Sequence, residues 1–429
     1  MYNKIVLREN EFLKEKYYFI EHKSGLRIFV FPKKLTTSFA MFGTQYGSID
    51  NTFKLENWDE YKSVPDGIAH FLEHKMFENE DGSDTFSLFA KTGASSNAYT
   101  SFEVTNYLFS CTENFYESLE ILLKFVTSPY FTEETVKKEL GIIGQEIRMY
   151  DDNPNMRLFM GAIENMFSSH PVRIDLGGTV ESISKITPEH LYLCYNTFYN
   201  LNNMALCVSG DIQLEEVLKV ADRILKPAPQ ITLDRYFPRE EPCVYKKYGE
   251  CSLQVSKPLF NIGIKDVEIS SDPVERMKKA CAVDILLSVV LGDTGKFYNE
   301  LYDEGLITAD FSFEYVHNKY FSFASVSGES KDPRELYSRF IDTVRAFKSS
   351  GISEADFERT KIAKYSELIK SFDSTEEISS ILMSHAFEDS DIFDYFDVVK
   401  NISIDDVNSV IDKIFNEDAF TLFVVNPLN

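Results

Sequence analysis

The heptapeptide AHFLEHK, residues 69–75, places two histidines and a glutamate within little more than one helical turn. Residues four apart share one face of a helix, so His70 and His74 can hold one zinc ion between their imidazoles. Glu73 lies beside the second histidine, where its carboxylate can take a proton from a water molecule on that ion. This order inverts the commoner H-E-x-x-H motif. The alternative is three polar residues of an ordinary helix.

A catalytic zinc site needs a third ligand, and the helix predicted for residues 132–150 offers two candidates. Glu139 and Glu146 are seven residues apart, which places both carboxylates on one flank of the buried stripe of the helix. A carboxylate at the edge of an apolar face is costly without a partner, and a divalent cation would supply one. Both side chains could instead point to water beside neighbouring basic residues. Spacing alone favours that second interpretation.

The motif is predicted to lie on an amphipathic helix. Asp66 can cap its first turn with a side-chain oxygen. At about 100° per residue, Ile68, Leu72 and Met76 form an apolar stripe. Because the two histidines then fall together on the opposite side, this helix can present both of them to one ion.

The first half of the chain has the pattern of strands, then helices, then a closing strand. Residues 95–111, SSNAYTSFEVTNYLFSC, alternate well enough to be one strand exposed on one face, with Gly93 at the turn before it. Helical periods follow in residues 118–126 and 213–225. Because strands and helices are grouped apart, the pattern favours an α+β fold over a doubly wound parallel sheet.

The two halves of the chain resemble each other. ITPEHL at residues 186–191 and ISIDDV at residues 402–407 both have the pattern of a capped helix start. Apolar strands follow at Met204 and Phe420, and both pairs of counterparts are 216 residues apart. An internal duplication is the simplest account.

Between the halves, residues 226–242 contain four prolines in KPAPQITLDRYFPREEP. Such a stretch is typical of an ordered linker. The sequence therefore predicts an N-terminal domain that carries the zinc site, residues 1–226, a linker, residues 227–242, and a homologous non-catalytic domain, residues 243–429.

Composition and charge limit the classes of partner. The chain has 429 residues, 44% of them hydrophobic, which is a globular composition. Its net charge of −24 argues against nucleic acid or an anionic membrane as a partner, because both are bound through clustered lysine and arginine. No apolar run is long enough to span a bilayer, and the start, MYNKIVLREN, lacks the pattern of a secretory signal. We therefore expect a soluble, cytoplasmic protein.

Taken together, the motifs resemble the family of inverted-motif zinc metallopeptidases that includes pitrilysin, insulin-degrading enzyme and the mitochondrial processing peptidase. The resemblance covers the whole chain and rests on GIAHFLEH at residues 67–74, Gly93 with NAYT at residues 97–100, Glu139 with Glu146, and Gly210-Asp211 after a strand. It implies two related α+β domains of the LuxS and pitrilysin type, each a mainly antiparallel sheet covered by helices.

The resemblance also implies a role for each residue of the site. His70, His74 and Glu146 would bind one zinc ion per chain. Glu73 would be the general base, and Glu139 would orient the site without binding the metal. The implied activity is that of a metalloendopeptidase, which cleaves peptide bonds without a covalent intermediate.

The family also implies how a substrate is held. An extended peptide adds as a further strand to the edge strand that matches Asn97, Ala98 and Tyr99, which is β-augmentation. The expected substrates are therefore short or unfolded peptides.

The second half departs from the family's pattern. Residues 282–292, which match the motif helix, contain no histidine, so one zinc ion per chain is the most we expect. Many relatives carry an arginine and a tyrosine in the second domain that bind the substrate, and Tyr302 stands where that arginine is expected. The alternative function is therefore a non-catalytic or partner-dependent subunit of a two-chain processing complex. A homodimer or a paralogous partner chain would complete the site.

Overall fold

The structure is a computed structural model that describes residues 4–428. Its strands are β1 (Lys4–Asn10), β2 (Glu15–Glu21), β3 (Arg27–Pro32), β4 (Ser38–Thr44), β5 (Thr52–Leu55), β6 (Lys62–Ser63), β7 (Ser95–Thr100), β8 (Thr105–Cys111), β9 (Met204–Gly210), β10 (Leu233–Arg235), β11 (Tyr248–Leu253), β12 (Leu259–Asp266), β13 (Ser312–His317), β14 (Ser322–Glu329) and β15 (Phe420–Pro427).

Its α-helices are α1 (Ile68–Met76), α2 (Thr85–Thr92), α3 (Phe115–Val126), α4 (Glu133–Asp151), α5 (Pro154–Met166), α6 (Val180–Ile183), α7 (Pro188–Phe198), α8 (Leu214–Ile224), α9 (Pro273–Leu291), α10 (Lys296–Asp303), α11 (Pro333–Ser350), α12 (Glu354–Ser371), α13 (Thr375–Phe387), α14 (Ile392–Asn401) and α15 (Ile404–Ile414). None of the helices within residues 4–428 is long and apolar enough to cross a membrane.

The chain forms two compact units, and each contains a segment from the other half of the sequence. The first unit holds the described residues up to Ile147, together with Ile174–Phe237 and Ile369–Phe393. The second holds Arg148–Arg173, Pro238–Leu368 and the described residues from Asp394. The step from Phe237 to Pro238 falls inside the proline-rich segment, while the domain boundaries at residues 226 and 243 stay a prediction.

The main sheet of the first unit has seven strands in the order β1-β2-β3-β9-β4-β8-β7. Its pairs are antiparallel except for β3 with β9. Every residue of β4 and β9 is buried, because helices cover both faces at the centre of the sheet. A small sheet in the order β10-β5-β6 completes the strands of this unit.

One face of this sheet is covered by α13, the helix contributed by the second half of the sequence. The guanidinium of Arg27 on β3 donates a hydrogen bond to the carbonyl of Ala386 at 2.5 Å. The hydroxyl of Ser209 on β9 donates to the carbonyl of Thr375 at 2.6 Å. Because Leu382 and Met383 are also buried there, α13 is part of the core of the first unit.

The sheet of the second unit has the order β11-β15-β12-β14-β13, with β11 and β15 as its parallel pair. Here α5, which comes from the first half of the sequence, lies against the sheet. A Cβ atom at Gly161 of α5 would lie 2.3 Å from the ring of Phe423, so only glycine allows this close approach. Asn165 of α5 donates a hydrogen bond to the hydroxyl of Thr421 at 3.1 Å.

A buried carboxylate fixes the loop that follows α5 in the second unit. Glu240 accepts hydrogen bonds from the backbone N–H groups of Ser169 at 2.6 Å and His170 at 2.7 Å. It also pairs at 2.6 Å with the buried ammonium of Lys265. Although burial raises the pKa of Glu240, these bonds outweigh it and lower the pKa to about 2.

The α+β fold class with two mainly antiparallel units is confirmed. The order β3-β9-β4-β8-β7 in the first unit repeats as β11-β15-β12-β14-β13 in the second, with the parallel pair at the same place. The helix starts at residues 187 and 403 are both capped by a side chain, as expected for duplicated segments.

The prediction of one strand over residues 95–111 is wrong, because two strands form a hairpin there. Between β7 and β8, the N–H of Ser101 bonds to the carbonyl of Val104 at 2.8 Å. The Ser101 hydroxyl also accepts a hydrogen bond from the N–H of Val104 at 3.2 Å. A serine side chain that bonds its neighbouring backbone favours a turn, and the alternation of polar and apolar residues continues through it.

Candidate metal centre

The motif heptapeptide lies on α1, as predicted, but the cap of this helix differs from the prediction. The helix begins after Gly67, which has a φ of 86°, and no side chain caps it. Asp66 instead accepts a hydrogen bond from Asn51 at 3.1 Å. A Cβ atom at Gly67 would lie 2.3 Å from the carbonyl oxygen of Gly177, so a close backbone contact replaces the expected cap.

The predicted apolar stripe of α1 is confirmed, since Ile68, Leu72 and Met76 are all buried. The rings of His70 and His74 lie together on the other side of the helix, with their centroids 4.7 Å apart. The core therefore fixes the rotation of α1 so that both imidazoles face the same space.

Both glutamates of α4 turn toward these imidazoles rather than toward water. Oε1 of Glu146 lies 3.7 Å from Nε2 of His70. Its Oε2 lies 3.5 Å from Nε2 of His74. Glu139 is buried, and its Oε1 accepts a hydrogen bond from Nδ1 of His74 at 3.0 Å. The helix therefore contributes one carboxylate that faces both histidines and one that holds the back of His74.

These distances fit a zinc ion. Ligand atoms at about 2.1 Å from a tetrahedral zinc lie roughly 3.4 Å from one another. One ligand atom from each of His70, His74 and Glu146 lies within 4.8 Å of the other two, and the separations from Glu146 are close to the tetrahedral value. Because Glu139 holds Nδ1 of His74, Nε2 of that ring is left for a metal, as is usual for metal-binding histidines.

The electrostatics of the cluster also favour a cation. Burial, and then the neighbouring His74, lower the pKa of His70, so its ring is neutral at neutral pH, as a metal ligand must be. Burial also lowers the pKa of His74, but the hydrogen bond that the ring donates to Glu139 and the charges of Glu73 and Glu146 raise it by more. Three carboxylates around one imidazole therefore draw positive charge to this position.

Glu73 lies on the same helix but is held by a strand. Its buried carboxylate accepts a hydrogen bond at 2.9 Å from the hydroxyl of Thr100, the last residue of β7. Burial raises the pKa of Glu73, and the bond from Thr100 opposes that rise only in part. A carboxyl group with a raised pKa accepts a proton more readily than an exposed one, as a general base must.

The residues predicted to hold a substrate lie on β7, the edge strand of the seven-stranded sheet. Within residues 4–428, β7 pairs with β8 on one side and has no strand on the other. Asn97 and Tyr99 are exposed on this strand, and Ala98 lies between them. None of these three residues is among the candidate metal ligands, but β7 reaches the site through the hydrogen bond from Thr100 to Glu73.

Two residues near the site received no role from the sequence. Thr100 belongs to the NAYT stretch, but the sequence predicts a strand that continues to residue 111, so its position at a strand end beside Glu73 was not signalled. Lys75, the last residue of AHFLEHK, is fully buried, which its residue type gives no reason to expect.

The second unit has no metal-binding group of this kind within the described part of the chain. On α9, Asp284 pairs at 2.7 Å with the ammonium of Lys364 on α12. Tyr302 lies on α10, where it is 49% exposed and stacks on Tyr298 with ring centroids 5.7 Å apart.

Family models match most of the chain. The model described as "Insulinase (Peptidase family M16)" matches residues 61–180, which include α1 and α4, and the model "Peptidase M16 inactive domain" matches residues 185–364. The "Uncharacterized zinc protease YmfH" of Bacillus subtilis (strain 168) is 40% identical, and the match covers 98% of both chains. The chain belongs to peptidase family M16. This confirms the resemblance to the pitrilysin group.

Solved structures agree with the M16 assignment. A putative M16-like peptidase from Alicyclobacillus acidocaldarius superimposes with a TM-score of 0.91 at 32% identity, over 99% of this chain and 98% of the other. A protease from Helicobacter pylori has a TM-score of 0.80 at 18% identity, over 96% of this chain and all of the other, which shows the shared fold. This M16 protein is therefore similar to zinc proteases along its whole length.

Proposed function

We propose that this M16 protein is a zinc-dependent metalloendopeptidase that hydrolyses peptide bonds in short or unfolded peptides. The observation that supports the proposal is the cluster of His70, His74 and Glu146, with ligand atoms within 4.8 Å of one another. Glu73, on the same helix, supplies the acid–base group that hydrolysis needs. The complete set favours an enzyme over the alternative of a non-catalytic subunit.

In this proposal His70, His74 and Glu146 hold the zinc ion, and Glu139 keeps the ring of His74 in place. A bound zinc ion polarises a carbonyl group and lowers the pKa of a water molecule. Glu73 takes one proton as the water oxygen attacks the carbonyl carbon. It then delivers that proton to the amine nitrogen as the C–N bond breaks, so the carboxylate is restored.

The substrate is proposed to lie along β7 as an added strand. The outer side of β7 offers backbone N–H and C=O groups to an extended peptide, and Asn97, Ala98 and Tyr99 would contact its side chains. Because Thr100 ends this strand and bonds to Glu73, a peptide bound there passes beside the proposed base.

The test compares the wild type with Glu73→Gln for zinc content and for cleavage of a mixed peptide library. We expect zinc to be retained and the rate to fall by at least about 100-fold, since the amide cannot accept the proton. Equal cleavage by both proteins would overturn the role of Glu73. A wild type that binds no zinc would overturn the proposal as a whole.

We also infer that a second chain, either another copy or a paralogue, completes the substrate site, because Tyr302 stands where relatives carry an arginine. Size-exclusion chromatography with and without a homologous partner tests this inference. Full activity of a monomer would refute it. The cytoplasmic location stays a prediction, which cell fractionation can check.

A further inference from the structure

Lys75 follows the metal-ligand candidate His74 and has no part in the proposed chemistry, yet its side chain is fully buried. Lysine is almost never fully buried unless its ammonium group is paired. That group donates a hydrogen bond to the carboxylate of Glu78, its only hydrogen-bond partner within residues 4–428. Within residues 4–428, Glu78 therefore supplies the one hydrogen-bonded counter-charge to an ammonium group placed next to the metal centre.

Glu78 also reaches the second metal-binding helix. Its Oε1 lies 3.6 Å from Nζ of Lys138 on α4. Lys75 follows His74 in the sequence, and Lys138 precedes Glu139. One carboxylate therefore connects α1 to α4 immediately beside the hydrogen bond between His74 and Glu139.

The charges around this connection alternate in sign. Both lysines interact favourably with Glu139 as well as with Glu78. Glu78 follows the last turn of α1, the turn that carries His74, and its N–H bonds to the carbonyl of Lys75 at 3.4 Å. The network therefore restrains the end of α1 and the adjoining part of α4 together.

We propose that Glu78 is a positioning residue for the metal centre. Through Lys75 and Lys138 it holds α1 and α4 at the spacing that lets His74 and Glu146 bind one zinc ion. Zinc tolerates changes of only about 0.2 Å in its ligand distances, so a small shift between the two helices weakens binding. The inference rests on the proposed zinc site.

The test measures the zinc affinity of the metal-free full chain by competition with a chromophoric chelator. For Glu78→Gln we expect an affinity about ten times lower than that of the wild type, the lower end of the range for groups that support metal ligands. The melting temperature of the metal-free proteins is measured in parallel, because a merely structural role would lower that temperature and leave the zinc affinity of the folded protein unchanged.

A second variant avoids the buried charge that Glu78→Gln would leave on Lys75. Lys138 is 71% exposed, so Lys138→Met removes one end of the connection without disturbing the core. We expect its zinc affinity to fall about two- to threefold, as befits an exposed ion pair, and Lys138→Arg to restore it. Unchanged affinity in both Glu78→Gln and Lys138→Met would overturn the inference.

Glu120→Gln is the matched control. The side chain of Glu120 is 28% exposed, against 26% for Glu78, and it also pairs with two basic residues, Lys124 and Arg223. It lies on α3, which carries none of the proposed metal ligands, so we expect the wild-type affinity. An equal loss in Glu120→Gln would refute a specific role for Glu78. A wild type without zinc affinity would instead refute the proposed function.

Discussion

The two units build the same order of five strands, but they place different charges on the helices beside them. In the first unit, α1 and α4 bring two imidazoles and the carboxylate of Glu146 together. In the second unit, α9, whose residues 282–292 match the motif helix, and α12 bring Asp284 and Lys364 together at 2.7 Å. The pair in the first unit leaves space for a cation, whereas the pair in the second unit contains one, the ammonium of Lys364.

The difference shows how a half-buried carboxylate is compensated in each unit. Around His74, three carboxylates raise the pKa of the imidazole, so positive charge is favoured at this position. Around Asp284, the ammonium of Lys364 supplies the positive charge from within the chain. The same order of five strands therefore accommodates a candidate metal-binding group in one unit and an internal ion pair in the other.

The largest expected effect is on the candidate zinc site of the first unit. In Glu146→Gln one proposed zinc ligand loses its charge, and we expect zinc affinity to fall at least about 1000-fold, beyond the range for groups that only support ligands. Chelator competition measures the loss. Asp284→Asn in the second unit is the matched control and should leave zinc affinity unchanged. Unaltered zinc binding in Glu146→Gln would mean that the third ligand lies elsewhere.

A smaller effect separates stability from metal binding. Glu240→Gln leaves the buried ammonium of Lys265 without its carboxylate, so we expect the free energy of unfolding to fall by about 2–3 kcal/mol. Urea unfolding measures the change, and zinc affinity should stay at the wild-type value. A parallel loss of zinc affinity would show that the second unit controls the site of the first.

Glu240 should also make the stability of the protein depend on pH. The pKa of Glu240 is about 2 in the folded chain, below the ordinary value of about 4.3. Its contribution to stability is therefore fully present above pH 4.3 and is lost as the pH falls toward 2. Unfolding followed from pH 6 to pH 2 should show a smaller loss of stability in Glu240→Gln than in the wild type. An equal loss would assign the acid sensitivity to other carboxylates.

A still smaller effect tests how much the ammonium of Lys364 stabilises the second unit. Lys364→Met leaves Asp284 without its ammonium partner, and because both side chains are partly exposed we expect a loss of about 1–2 kcal/mol. The double variant Asp284→Leu with Lys364→Met should recover most of that loss. Thermal unfolding measures both. A double variant no more stable than Lys364→Met would mean that the ion pair does not account for the loss.

The smallest expected effect concerns the hydrogen bond that orients Glu73 in the first unit. Thr100→Val removes the hydrogen bond to Glu73, and we expect kcat to fall about fivefold, the equivalent of about 1 kcal/mol, with KM and zinc affinity unchanged. Thr100→Ser keeps the hydroxyl and should restore the rate. A valine variant with the wild-type kcat would show that packing alone orients Glu73.

The parts of the molecule that the sequence predicts are those governed by local periodicity. The apolar stripe of α1 and the spacing of Glu139 and Glu146 on α4 depend on residues within one helix, so they could be read from the chain. Whether the two glutamates face water or the histidines depends on how α4 packs against α1. Only the family resemblance, and not the spacing, favoured the arrangement observed.

Other features depend on contacts between distant residues. The cap of α1 is a close backbone contact between Gly67 and Gly177, and no pattern around Asp66 signals it. The exchange of α5 and α13 between the two units also depends on distant contacts. The sequence of each helix is amphipathic, but it does not indicate which sheet the helix packs against. The burial of Lys75 likewise follows from packing, since lysine on a helix is usually exposed.

The exchange of α13 also affects how the nascent chain is completed. The last strand of the seven-stranded sheet ends at Gly210, whereas the helix that covers this sheet ends at Phe387. At about 5–20 residues per second, a ribosome needs roughly 9–35 s to synthesise the intervening segment. During that interval, the face of the sheet that carries Arg27 and Ser209 has no cover. Faster translation of the second half of the mRNA therefore shortens the period in which the uncovered sheet of the nascent chain can aggregate.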